Sequence, residues 1–247
     1  MTFHFSTVDP EQYGAEKRIA CINSEVLPAW SVMPNTKDRI ESLHLQTLKT
    51  LNAHLSKYPY LFVGKPSIGD FGMIAPLYGH LGRDPVPLSL MQINAPRLFR
   101  WVERMNRSEP DIGEFENKSA TYLDDDEIPE TLIEVLKHFA TDFIPESMAA
   151  YECVSNWLEE NKDLPAGTEV SREVGKCKFK VNGVEIDAVA QPFRFYLMKR
   201  LHDQFDSLSA KGQQEVRELL KHCQMDEVLD MRLSRKIGRA DNLEVWL

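Results

Sequence analysis

Four groups of residues have types and spacings that bear on chemistry. Ser67 and Asp70 lie three residues apart within Pro59 to Gly82, PYLFVGKPSIGDFGMIAPLYGHLG. That is the spacing of a helix capping box. The serine hydroxyl accepts from an orphan amide of the first turn, and the carboxylate reaches back to the serine amide. Asp124, Asp125, Asp126 and Glu127 crowd the oxygens that a hard cation wants. Their spacing is not that of an EF-hand and no glycine stands at the required turn. They read instead as negative charge at a helix N-terminus opened by Pro129, worth about 0.3 to 1 kcal/mol each. Arg97, Arg100, Arg104 and Arg107 fall on one side of a helix. They read as a solvated face, with an anion or carboxylate site at one end as the functional alternative. His44 and His54 sit near a leucine stripe with nothing to pair with, and read as packed or solvated side chains rather than ligands.

No catalytic motif accompanies these groups. The chain has no GxSxG elbow, HExxH, glycine-rich phosphate loop or GxGxxG. Serines and histidines alone do not make a triad, which is recognised by geometry. Cys21, Cys153, Cys177 and Cys223 are far apart and form neither CxxC nor a zinc spacing, a usage that suits a reducing cytosol. No catalytic residue, metal site or cofactor is expected from the residues themselves.

At 247 residues with 43% hydrophobic content, the chain can bury a core as one or two domains. Its formal charge of -9, without a dense Lys/Arg cluster, argues against nucleic acid and anionic membranes as partners. No stretch reaches the roughly 18 to 20 apolar residues of a membrane span. His4, Asp9 and Glu11 follow Met1 too closely for a signal peptide, so a cytoplasmic protein is expected.

The elements that must position these residues are mainly helices. Pro10 opens one through Tyr13, Ile19, Ile22 and Val26 to Pro28, and Asn35 or Thr36 caps another whose stripe runs from Ile40 through Leu48 and Leu51 to Leu55. Beyond Ser67, Ile74, Leu77, Tyr78 and Leu81 recur without charge. This predicts a buried helix, stapled by Pro66 and Phe71 and bent at Pro76. Asp84 to Leu88 reads as a proline-rich connection, and Ala95 to Asn106 as a helix with Leu98, Phe99, Trp101, Val102 and Met105 on its apolar side. A long helix carries Leu132 to Leu158, kinked or split by Pro145.

After the linker Leu164 to Ser171 the chain changes character. Lys176 to Val189 predicts a β-hairpin around a type I′ Asn182-Gly183 turn. That register pairs Cys177 with Ala188, Phe179 with Ile186 and Val181 with Val184 on one face. Phe193, Leu197, Leu201 and Phe205, with Leu208 three further on, then recur at helical spacing on a helix opened by Pro192, and shorter helices follow. The tail from Leu233 ends on Trp246 and Leu247 and is expected to pack back across the surface.

The order of a leucine-rich helix, Pro59-Tyr60-Leu61, Gly64 and Pro66-Ser67-Ile68-Gly69-Asp70-Phe71 resembles the C-terminal helical domain of the glutathione transferase family. In that family the Ser/Thr-x-x-Asp box starts the central helix and determines folding. Gly69 departs from the usual alanine, at less than the ~0.5 to 1 kcal/mol of a mid-helix glycine. The resemblance implies a mainly α fold. A helical bundle would occupy residues 1–163, and an extension over 164–247 would hold the 176–189 hairpin and further helices. It implies glutathione as co-substrate and a small hydrophobic electrophile. The family's thiolate-activating residues belong to a thioredoxin-like domain with no counterpart here, so the chain alone is expected to be inactive. What it would inherit is one wall of the substrate pocket, from Tyr13, Lys17, Cys21 and Trp30, with Ser67 and Asp70 as structural caps. The alternative is a non-catalytic interaction module. Without the covering domain its apolar surface favours a homodimer or another partner.

Overall fold

The computed structural model describes residues 14–109 and 111–247. Tyr13 and the expected helix start at Pro10 lie outside the described residues. The chain is mainly helical, with two small antiparallel two-stranded sheets. In order it forms α1 (Ala15–Cys21), prolonged by a π-helical stretch (Ile22–Val26) and one α turn (Leu27–Ala29), then α2 (Lys37–Leu55) and α3 (Ile68–Pro76) with a π-helical continuation (Leu77–Leu81). α4 (Pro85–Asn94), α5 (Pro96–Met105) and α6 (Glu130–Glu160) follow. The C-terminal part holds β1 (Lys176–Val181), β2 (Val184–Val189), α7 (Phe193–Asp206), α8 (Ala210–His222), β3 (Ile237–Ala240) and β4 (Leu243–Trp246). Two compact units result: residues 39–138, and the residues up to 38 together with 139–247.

The unit of residues 39–138 is built on Leu48, Leu51, Leu55, Tyr60, Met91, Leu98 and Trp101, all essentially removed from water. α3 differs from expectation. Ile68 is 80% and Phe71 61% exposed, and of α3 and its continuation only Asp70 and Leu77 are buried. The apolar residues run round the helix rather than along one stripe, so one face packs and the rest meets solvent. The predicted staple is therefore absent, because Phe71 points outward. Pro76 does mark a change: α-helical hydrogen bonding gives way to π-helical from Leu77. The expected connection at Asp84 to Leu88 is instead the start of α4, with Pro85 and Pro87 in its first turn. First-turn amides have no intrahelical acceptor, so prolines cost nothing there.

In the other unit, α6 runs unbroken through Pro145. The β1–β2 register pairs Cys177 with Ala188, Phe179 with Ile186 and Val181 with Val184, and Asn182 and Gly183 both have positive φ (48° and 84°). The inward stripe of α7 is Phe195, Met198, His202 and Phe205, while Phe193, Leu197 and Leu201 are exposed. The tail forms a second hairpin, β3–β4, with Ile237 opposite Trp246. Trp246 is fully buried and stacks on Trp157 with ring centroids 5.9 Å apart.

Candidate functional site

Asp70 is the centre of the residue 39–138 unit, fully buried at the first turn of α3. Its Oδ2 accepts from the Ser67 amide at 2.8 Å and from the Ser67 hydroxyl at 2.7 Å. Ser67 Oγ in turn accepts from the Asp70 amide at 3.4 Å, closing the capping box. The other oxygen, Oδ1, accepts from the Leu61 amide at 3.1 Å and from Trp101 Nε1 at 3.0 Å. A carboxylate has about four lone-pair sites, and all are occupied. Asp70 has no capacity left for general base work, and the Ser67 hydroxyl is equally committed. Both residues hold structure.

The segment Pro59 to Gly64 is held from several sides. Arg104 Nη2 donates to the Pro59 carbonyl at 2.8 Å, and His54 Nε2 lies 3.2 Å from the Tyr60 carbonyl. A carbonyl can only accept, so Nε2 carries the proton and Nδ1 faces the Thr131 hydroxyl at 2.8 Å as acceptor. Burial pushes the His54 pKa below its ordinary value, outweighing the hydrogen bond to Tyr60. His54 is thus a satisfied core histidine. The Tyr60 hydroxyl bonds the carbonyl of Asp111 at 2.7 Å and the amide of Asp111 at 2.9 Å, and burial pushes its pKa up. It is no candidate for activating a thiol. Gly64 is forced by close approach: a Cβ there would lie 2.1 Å from the Ser119 carbonyl oxygen.

The arginine stripe of α5 is not simply solvated. Arg97 reaches Glu114 at 2.7 Å, and Arg100 and Arg104 reach it at 3.4 Å, while Arg107 pairs with Asp111. The carboxylates for these cations come from the chain's own following loop. Burial pushes the Glu114 carboxyl up, but a backbone hydrogen bond and the three guanidinium groups outweigh it and hold it below the usual range. Arg104 is only 3% exposed and covers the rings of Tyr60 and Phe115 with its guanidinium. Burial pushes its pKa down, partly offset by Glu114.

The residues expected to line a substrate pocket lie in the other unit. Lys17 is exposed and Cys21 half-buried, one turn apart on α1, with Cys21 Sγ 3.7 Å from Glu25. Trp30 is 39% exposed at the end of the helical stretch. Its neighbour Ser31 turns the chain with φ of 55° and accepts a 3.0 Å hydrogen bond from the Asp187 amide, which fixes this corner to β2. Lys17 and Cys21 therefore share a helix face, whereas Trp30 stands beyond the π-helical stretch. Burial pushes the Cys153 and Cys177 thiols up, away from nucleophilic use.

Among the described residues no group of three His, Cys, Asp or Glu could hold a metal ion, and no helix is long and apolar enough to cross a membrane. Asp124–Asp126 forms a single 3-10 turn with Asp125 at φ 55°, and Glu127 is its C-cap. The sequence missed Gly64's contact and the Trp101–Asp70 bond. An indole in a helix opposite a capping box was their only signal. No family model, curated protein or solved structure matches this chain.

Proposed function

We propose that this chain is a glutathione-transferase-like helical bundle that forms one wall of the substrate pocket of such a protein and itself supplies no thiolate-activating group. The observation that carries the reading is the assembly around Asp70. One buried carboxylate joins the Ser67 cap, the Leu61 amide of the Pro-Tyr-Leu segment and the Trp101 indole. Leu61, Ser67 and Asp70 are among the residues on which the resemblance rests. The hydroxyls of Ser67 and Tyr60 are spent on internal hydrogen bonds, so neither can lower the pKa of a bound thiol. Lys17, Cys21 and Trp30 are the wall of the pocket in this reading, and the ligand is a small hydrophobic electrophile. Incubation with glutathione and 1-chloro-2,4-dinitrobenzene tests the division of labour. The expected rate is the uncatalysed one; conjugation well above it would place thiolate activation in this chain and overturn the proposal.

A second reading, a non-catalytic interaction module, is favoured by one observation. Ile68, Phe71, Tyr78, Val86 and Ile93 are all exposed on α3, its continuation and the adjacent α4. Where exposed apolar residues form one contiguous patch, they mark a surface that meets another molecule.

A further inference from the structure

The unit that contains residues 139–247 holds a cavity of about 240 Å3 between α7, residues 231–236 and the start of β3. Its floor is apolar: Phe195, Met231 and Ile237 are each at least nine-tenths buried and belong to the core. Its rim is charged. Lys199, Arg232, Arg235 and Lys236 line it against only two carboxylates, Asp203 and Asp206, in a chain whose net charge is -9.

Both carboxylates are already taken. Lys199 pairs with Asp203 one turn along α7, and Arg232 grips Asp206 with two hydrogen bonds at 2.7 and 2.8 Å. His202 in the wall is committed too, its Nε2 bonding the Val228 carbonyl at 2.7 Å. Arg235 donates from Nε and Nη1 to the backbone oxygens of Leu247 and Leu164, which fixes its plane and leaves Nη2 without an acceptor among the described residues. The Lys236 ammonium is exposed at the rim and acts on Asp206 by its charge without a direct ion pair. Arg235 Nη2 and the Lys236 ammonium therefore remain as donors above an apolar floor.

We propose that this cavity binds a small monocarboxylate with an apolar body, of the size of an aromatic acid such as benzoate. The carboxylate meets Lys236 and Arg235, and the ring covers Phe195, Met231 and Ile237. A cationic ligand would find both acids occupied. A bare inorganic anion would leave the floor uncovered and lose the apolar contribution. The volume is below the ~300 to 1,000 Å3 of sites for drug-sized ligands, which sets the size class. This site shares no residue with the Asp70 network or the α1 wall, so it is independent of the function proposed above.

Calorimetric titration of the full chain with benzoate, benzamide and inorganic phosphate tests it. Benzoate is expected to bind saturably, roughly tenfold or more tighter than its neutral analogue benzamide, and more weakly as salt rises. Lys236→Gln is expected to weaken benzoate about fivefold or more, whereas Lys211→Gln, at an exposed lysine of α8, leaves it unchanged. Lys236 is exposed, so the variant should fold, and an unchanged melting temperature verifies that. Benzamide binding as well as benzoate, phosphate binding as tightly as benzoate, an unaffected Lys236→Gln or no saturation would each overturn the assignment.

Discussion

Trp101 Nε1 donates to Asp70 Oδ1 at 3.0 Å, with both side chains completely removed from water. This bond ties the first turn of α3 to the middle of α5, and through the same carboxylate to Leu61. Asp70→Ala would remove the cap and also strand the Leu61 and Trp101 donors in the interior. Loss of a cap costs about 0.5 to 2 kcal/mol, and each buried unsatisfied donor about 1 to 3 kcal/mol. We expect Asp70→Ala to destabilise by roughly 3 to 5 kcal/mol and Ser67→Ala by about 1 kcal/mol. Urea denaturation of the two variants gives the comparison. Equal, small losses would mean that Asp70 acts as a cap alone.

Gly64→Ala should be among the most damaging single-methyl additions in the chain. The new Cβ would overlap the Ser119 carbonyl and the Thr121 backbone, which cannot swing aside as a flexible side chain would. An overpacking cost of at least about 3 kcal/mol is expected. Gly79→Ala, where a Cβ meets nothing within 4 Å, is the control and should change the melting temperature little.

His54 makes stability depend on pH in a stated direction. Its folded pKa lies below the ordinary value because burial penalises the charged ring. Between that pKa and about 6.5 the unfolded chain binds the proton and the folded chain does not, so stability falls as pH falls. The slope from one such group is at most about 1.4 kcal/mol per pH unit. His44 is shifted in the same direction by burial and adds to it. Chemical denaturation between pH 7.5 and 5.5 should show the loss, and His54→Gln should flatten it while lowering the plateau. A variant with an undiminished slope would remove His54 from the account.

The exposed apolar residues of α3 and α4 make a different kind of prediction. Ile68 and Ile93 are 80% and 75% exposed, so Ile68→Ser with Ile93→Ser should alter stability by less than about 0.5 kcal/mol per change. If this surface meets a second copy, sedimentation velocity will show concentration-dependent association in the parent chain and less in the double variant. Identical, strictly monomeric behaviour of both would argue against the interaction-module reading.

What could be read beforehand was local. The β1–β2 hairpin was legible because turn type, side-chain alternation and the facing charges of Lys178 with Asp187 and Lys180 with Glu185 all point to one register. The capping box was legible from two residues. The rest depended on tertiary context. Phe193, Leu197 and Leu201 recur every four residues, but a 3.6-residue turn makes that spacing drift round the helix. The packed face follows steps of three and four through Phe195, Met198, His202 and Phe205. The β3–β4 turn uses Asp241 and Asn242, both at positive φ, without the glycine that announces such turns. Pro85 and Pro87 looked like a linker because proline breaks helices everywhere except where α4 uses it. The proposed pocket wall was named from resemblance, and no local signal in Lys17, Cys21 or Trp30 distinguishes it from ordinary helix surface.

In the proposed function the chain holds an apolar arene without activating a thiol. Calorimetric titration with nitrobenzene, an unreactive analogue of the electrophile, on the parent chain and on Trp30→Ala separates these two roles. Because Trp30 is 39% exposed, the substitution should leave the fold intact. Saturable binding to the parent is expected, weakened about tenfold by Trp30→Ala with the melting temperature little changed. Non-saturable binding, or equal affinity in the two proteins, would contradict it.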